Sequence, residues 1–163
     1  MLSEGSELIA AVLTVSDSVA LGSRVDASGP AVAASLEHAG FTVVAREIVP
    51  DERPVIEAAL RRLAEKAELV VTTGGTGIAE RDVTPEATLA ICDRVVEGVA
   101  ERMRSEGARK TPLAALSRGV CGIRARTLVL NVPGSPTAAT ESLAAVLEII
   151  PHALELLRGK TKH

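Results

Sequence analysis

The chain has 163 residues, enough for one ordinary domain with a real core and no need of covalent staples. With 47% hydrophobic residues it is no disordered chain, and with one Phe and no Trp or Tyr it lacks the stacking platforms of a single-stranded nucleic-acid binder. A net charge of −3 with no basic run argues against nucleic acid as a partner. No apolar run reaches the roughly 20 residues of a membrane helix.

The start, Met1 to Glu7, is polar and acidic, so no secretory signal is read there. The first predicted strand is Leu8–Val15, and Ser16-Asp17-Ser18 follows it. Asp17 between two serines suits a cap or a contact to ligand hydroxyls. The turn-rich stretch from Ala20 to Ser28 reads as a mobile loop. Ser28 then caps a helix with Pro30 in its first turn, Val32, Leu36 and Ala39 on one face, and Gly40 as its stop.

The second strand, Thr42–Val49, ends at Pro50-Asp51. Asp51 stands where a cap would precede the next helix, which follows Pro54 and carries Ile56, Leu60, Leu63 and Ala67 in one stripe. The third strand, Leu69–Thr73, runs into Gly74-Gly75-Thr76-Gly77. Asp82 comes next, then Thr84 as cap of a helix with Pro85 at its first position. A longer helical pattern continues through Val99 and Met103.

Leu116-Ser117-Arg118-Gly119 reads as a loop in which Ser117 and Arg118 either contact an anion or are solvated. The fourth strand, Thr127–Val132, ends at Pro133-Gly134-Ser135-Pro136. A long amphipathic helix from about Thr137 carries Leu143, Val146, Ile150, Leu154 and Leu157, and Pro151 is expected to kink it. Cys92 and Cys121 have no partner at metal-ligand spacing and read as free thiols of a reducing compartment, so a cytoplasmic location is expected. His38, His152 and His163 share no metal spacing either.

Strands alternate with helices, and three of the four strands are near-continuous aliphatic runs. That is the pattern of a mostly parallel sheet covered by helices on both faces. No repeat, linker or low-complexity stretch interrupts it, so residues 1–163 read as one domain.

In open α/β sheets, ligands bind beyond the carboxyl ends of the strands. All four strands here end in small, polar or acidic residues, which packing alone does not require. Gly74-Gly75-Thr76-Gly77 suits either an anion nest or a plain tight turn. It is no Walker loop, lacking Gly-Lys-Ser/Thr, and no dinucleotide fingerprint, since Glu80 stands where a third glycine belongs. Asp51 and Asp82 each have a bland reading beside a helix start. At the rim of a phosphate nest, the two together make sense with Mg²⁺ between them and the phosphate oxygens.

These residues carry a resemblance. Leu13 to Ser18, Asp26-Ala27-Ser28-Gly29-Pro30, Val49-Pro50-Asp51, Thr72 to Gly77, Arg81 to Thr88, Leu116-Ser117-Arg118, Cys121 to Arg124 and Leu130 to Pro136 occur in the order seen in the MogA/MoaB family. That family includes the N-terminal domain of gephyrin, and the likeness runs from about Ile9 to Arg158. It implies a three-layer α/β/α sandwich, a homotrimer, and a molybdopterin adenylyltransferase that joins the AMP of ATP to molybdopterin with Mg²⁺ and releases pyrophosphate. The molybdate-inserting enzyme of the pathway is a further implied partner.

Carried over residue by residue, the resemblance implies Asp51 and Asp82 as the catalytic and metal-positioning pair. Ser16, Asp17, Ser18, Gly74, Gly75, Thr76, Gly77, Thr84, Ser117, Gly134, Ser135 and Pro136 fall on substrate-binding positions. The alternatives are a molybdopterin-binding carrier that consumes no ATP, and a nucleotide pyrophosphatase.

Overall fold

The computed structural model describes residues 6–160. Strands β1 (Leu8–Val15), β2 (Phe41–Val49), β3 (Leu69–Thr73), β4 (Arg94–Val95), β5 (Cys121–Arg124) and β6 (Thr127–Val132) form one sheet in the order β2-β1-β3-β6-β5-β4. The pairings β1–β2, β1–β3 and β3–β6 are parallel, whereas β5 runs antiparallel to both β6 and β4. The helices are α1 (Asp17–Ala20), α2 (Ser28–His38), α3 (Arg53–Lys66), α4 (Thr84–Ile91), α5 (Glu97–Ala108), α6 (Pro136–Ala144) and α7 (Ile150–Leu157), with a 3₁₀ turn at Pro112–Leu116.

The aliphatic runs of β1, β3 and β6 are buried, apart from half-buried Ile9, because each strand feeds two cores. Side chains alternate across a pleated strand. Ala10, Val12, Leu69, Val71, Leu128 and Leu130 therefore pack with Val32, Leu36, Met103, Leu143 and Ile150 on one side. Ala11, Leu13, Val70 and Val129 pack with Ile56, Leu60, Leu63 and Ile91 on the other. The result is the expected three-layer α/β/α arrangement. At the sheet edge, β2 instead buries Phe41 and Val49 and exposes Thr42, Val44, Arg46 and Ile48.

Four local expectations are corrected. Ser28 does not cap α2: it is buried within the first turn, and the Gly29 N–H donates to Asp26 Oδ1 at 2.9 Å instead. Asp51 does not cap α3, whose cap is Glu52 without a side-chain bond, and Thr84 does not cap α4, since both side chains are engaged elsewhere. The pattern running on from Thr84 is two helices, split by β4.

The closing helix is likewise two. Turns at 145–149 separate α6 from α7, and Pro151 sits in the first turn of α7, where a missing N–H costs nothing. The apolar stripe is real all the same, because Leu143, Val146, Ile150 and Leu154 enter one core. The short strands β4 and β5 gave no sequence signal. One has two residues, and the other is a four-residue run with Gly122 inside it.

Leu13 is 0% exposed in the central part of the sheet, whereas Leu113 is 70% exposed. Leu13→Ala is expected to cost about 2–5 kcal/mol through lost burial and a residual cavity. Leu113→Ala is expected to stay within about 0.5 kcal/mol of wild type. Urea unfolding of the two variants checks the contrast.

Candidate active site

Because β1, β2, β3 and β6 run parallel, their following turns gather at one edge of the sheet. The turns touch. A Cβ on Gly74 would stand 2.2 Å from the Val15 carbonyl oxygen, and one on Gly134 would stand 3.3 Å from Gly74 Cα. The Thr73 hydroxyl donates to the Pro133 carbonyl at 2.6 Å, joining the ends of β3 and β6.

The glycine turn is held by its carbonyls. Gly74 and Gly75 have φ of 105° and 67°, a region open to glycine at little cost. The Thr84 hydroxyl donates to Gly74 O at 3.0 Å and the Thr84 N–H to Gly75 O at 3.1 Å. A side chain at Gly75 would collide with that hydroxyl, at 2.3 Å from its Cβ. With the carbonyls drawn toward α4, the N–H groups of Gly75, Thr76 and Gly77 have no acceptor among the described residues. Consecutive free N–H groups of this kind form an anion nest.

A buried polar chain supports the turn from behind. Thr88 Oγ1 donates to Thr84 O at 2.9 Å, and Asn131 Nδ2 donates to Thr88 Oγ1 and Thr72 Oγ1 at 3.0 and 2.9 Å. Asn131 Oδ1 accepts the Val120 N–H at 3.1 Å. Arg118 closes the outer side, donating to Gly77 O, Asp82 O and Glu86 Oε1. Of the two readings of Arg118, anion contact or solvation, the geometry gives a third: it clamps the loop.

Asp17 and Asp51 are cross-linked by their backbones. The Asp17 N–H donates to Asp51 Oδ2 and the Asp51 N–H to Asp17 Oδ1, each at 2.9 Å. Arg81 grips Asp17 through Nε at 2.5 Å and Nη2 at 2.9 Å. That hydrogen-bonded guanidinium, with the Asp51 N–H, holds the Asp17 carboxyl below its ordinary range. Burial pushes Asp51 the other way, and the charges of Asp17 and Asp82 add to the rise. The free Asp51 Oδ1 faces the glycine turn, 3.1 Å from where a Gly75 Cβ would sit. Asp82 Oδ2 accepts the Ala79 N–H at 3.0 Å and lies against Gly77.

Two cavities open on this edge. One, of about 690 Å³, is lined by Ser16, Asp51, Gly74, Ser135 and Pro136 among others. The other, of about 700 Å³, lies against α5, the 3₁₀ turn and α6, and includes Thr76, Gly77, Ser117 and Met103. Gly75, Asp82 and Gly134 line both, so the cavities meet at the nest. Asp17, Ser18 and Thr84 serve the site from behind: Ser18 Oγ lies 3.2 Å from Ser16 Oγ, and its carbonyl accepts the N–H groups of Ser23 and Arg24.

Asp26 was not among the expected site residues, yet it lines the first cavity with Thr14 and Ser28. Its signal was its place in the Asp26–Pro30 stretch. Asn131 was missed because a single Asn inside an aliphatic strand reads as tolerated, and its partners Thr72 and Thr88 lie far away in sequence.

No cluster of three or more His, Cys, Asp or Glu side chains able to hold a metal occurs among the described residues. Asp51 and Asp82 beside free backbone N–H groups nevertheless fit Mg²⁺, which is usually bound by one or two carboxylates plus substrate phosphates. His38 and His152 lie exposed on α2 and α7, as expected, and His163 lies outside the described residues. Both cysteines are free, and burial pushes the thiol of half-buried Cys92 up to about 11 and that of buried Cys121 up to about 12.

A mostly parallel sheet whose strand ends gather a glycine turn with free N–H groups, two carboxylates and paired cavities defines an α/β domain with its candidate site at one sheet edge. The chain belongs to the family described as probable molybdopterin binding domain, which it matches over residues 11–152. It is 41% identical over 152 residues to a molybdopterin adenylyltransferase of Helicobacter pylori, covering 91% of this chain and 86% of that one. It is also 41% identical to the molybdenum cofactor synthesis protein cinnamon of Drosophila melanogaster; the match covers 90% of this chain but spans only 25% of that longer protein. The crystal structure of the molybdopterin biosynthesis enzyme MoaB from Thermus thermophilus superposes with a TM-score of 0.88 at 53% identity, covering 93% of this chain and 97% of that one.

The raised Asp51 pKa has a consequence for stability. Asp51 holds its proton more tightly in the folded protein than in the unfolded chain, so ionising it opposes folding. That opposition is absent below the ordinary carboxylate value of about 3.9 and complete above the raised one. Asp51→Asn keeps an oxygen for the Asp17 N–H. It is expected to gain in melting temperature relative to wild type as pH rises from 3 to 7, which parallel thermal melts check.

Proposed function

We propose that this chain is a molybdopterin adenylyltransferase of molybdenum cofactor biosynthesis. It transfers AMP from ATP to the terminal phosphate of molybdopterin and releases pyrophosphate. The observation that carries this reading is the meeting of two cavities of near-equal volume at Gly75, Asp82 and Gly134, beside Asp51. Two anionic substrates brought to one junction need two such spaces and a means of neutralising charge between them. Relatives of similar length at about 40% identity are named for this activity.

In the reaction, a phosphate oxygen of molybdopterin attacks the α-phosphorus of ATP. The new P–O bond forms as the bond to the β-phosphate breaks, and pyrophosphate leaves with the electron pair. No side chain need act as a nucleophile. The chain's share is positioning and electrostatics. The N–H groups of Gly75, Thr76 and Gly77 receive a phosphate oxygen. Asp51 and Asp82 would hold Mg²⁺, which when bound screens the phosphates and the leaving pyrophosphate. Asp17 and Arg81 keep the Asp51 carboxylate in place, and Ser16, Ser117, Ser135 and Pro136 shape the two spaces.

The working form in this reading is a homotrimer in the cytoplasm, its adenylylated product passing to the molybdate-inserting enzyme. The resemblance supports the trimer, and two free thiols suit a reducing compartment. Among the described residues no helix is long and apolar enough to cross a membrane. Light scattering at micromolar concentration is expected to give three times the chain mass of 16.9 kDa; a stable monomer refutes the assembly.

Asp51→Ala and Asp82→Ala are each expected to lower adenylylation by about 10²–10³-fold, the usual effect of removing one preorganised charge-stabilising group. Each loses a local bond from a backbone N–H, so stability is expected to fall by no more than about 1–2 kcal/mol. Pyrophosphate release from Mg-ATP with molybdopterin, read beside thermal melting, makes the test. Near-normal turnover in both variants refutes the assignment, and molybdopterin binding without pyrophosphate release in the wild type indicates a carrier.

A further inference from the structure

The 690 Å³ cavity contains a set of donors that the reading above does not use. Helix α2 is 11 residues long and opens into this cavity through Ala27 and Ser28. Of its early N–H groups, that of Gly29 is taken by Asp26 Oδ1, and Pro30 has none. The N–H groups of Ala27 and Ser28 have no acceptor among the described residues. Every helix has such a start, so the side chains around this one decide what it can hold.

The second observation is the Ser28 side chain. Ser28 is only 5% exposed and lines the cavity, yet its hydroxyl has no partner among the described residues. The hydroxyl oxygen is not sealed in the wall: the little surface Ser28 keeps opens on the cavity, where a ligand oxygen can accept its proton. Thr14, on the same wall, is by contrast satisfied by Asp26 Oδ2 at 2.8 Å.

The third is Arg24. It is the one cationic side chain among the described residues that line this cavity, and no carboxylate pairs with it. The backbone that carries it is fixed, because the Ser23 and Arg24 N–H groups both donate to Ser18 O at 3.0 and 3.2 Å. The cavity also holds Asp26, Asp51 and Asp82. Both Asp26 oxygens are already bonded, to the Thr14 hydroxyl and the Gly29 N–H, which spreads its charge into the wall.

We propose that Arg24, the Ser28 hydroxyl and the N–H groups of Ala27 and Ser28 form a second phosphoryl-binding subsite, in the cavity that the glycine nest reaches at Gly75. This rests on the adenylyl-transfer reading for its setting. The ligand chemistry is a phosphate oxygen beside a helix N-terminus, with an arginine supplying the countercharge. Two sources offer it: the polyphosphate tail of ATP and the terminal phosphate of molybdopterin. A nest at Gly75–Gly77 together with this subsite would hold two phosphoryl groups in adjoining spaces that share Gly75.

Arg24→Gln and Ser28→Ala are the variants, used in the full chain. Arg24 is exposed, so Arg24→Gln leaves the fold untouched and keeps the test valid if Ser28→Ala melts early. Calorimetric titration with inorganic pyrophosphate needs no turnover. Wild type is expected to bind it and each variant to bind about tenfold more weakly, the effect of losing one charge-assisted or buried hydrogen bond.

Steady-state kinetics then identifies the source. A rise in KM for ATP with kcat retained assigns the polyphosphate, and a rise for molybdopterin alone assigns its phosphate. If pyrophosphate does not bind the wild type, or binds both variants as tightly, the subsite is refuted even where adenylylation proceeds normally. If pyrophosphate binding weakens as expected but no adenylylation occurs, the subsite stands and the reading of the reaction fails.

Discussion

Everything at the active edge depends on which way the Gly74–Gly75 peptides face. Thr84 decides it, by holding both carbonyls from the start of α4. A peptide group whose oxygen is tied back turns the neighbouring N–H groups outward, toward the cavities. Without that tether the same four residues would make an ordinary turn, with no preference for an anion. The tether is itself held by a chain of bonds through Thr88, Asn131 and Thr72, each buried. In a low-dielectric interior such a network is rigid when complete and costly when broken.

The carboxylates around the nest pose the opposite problem. Asp17, Asp51 and Asp82 stand close enough for the first and third to raise the pKa of the second. A bare phosphate would be repelled there. The arrangement manages this charge by separating the roles. Asp17 is neutralised by Arg81 and serves as a brace, with both its oxygens occupied. Asp51 spends one oxygen on the Asp17 N–H and keeps the other facing the glycine turn. In the proposed reaction, a cation held by Asp51 and Asp82 would convert a repulsive rim into one that holds phosphate.

The sheet makes these contacts possible at little cost. Parallel strands bring their carboxyl ends to one edge, so turns separated by tens of residues become neighbours. Gly74 fits between the Val15 carbonyl and Gly134 because neither glycine has a side chain, and glycine is required there for space as much as for φ. The antiparallel addition of β5 and β4 extends the sheet away from the glycine nest. It also positions Val120, whose N–H anchors Asn131.

The fold class was legible in the sequence, because burial on both faces writes itself as continuous aliphatic strands; so was the gathering of Ser16, Asp51, Gly74 and Gly134 at one sheet edge, because each follows a parallel strand and makes that edge the candidate site. The stripe from Leu143 to Leu154 was legible for the same reason, as a consequence of local periodicity. What only the tertiary structure decided was the work of each polar side chain. Ser28, Asp51 and Thr84 all occupy positions that read as helix caps, yet their partners or cavities lie on other elements. A cap is a contact within four residues, and sequence spacing shows it. The Asp17–Asp51 exchange spans 34 residues and the Arg118 clamp 41, and such contacts exist only once the sheet has brought the strand ends together.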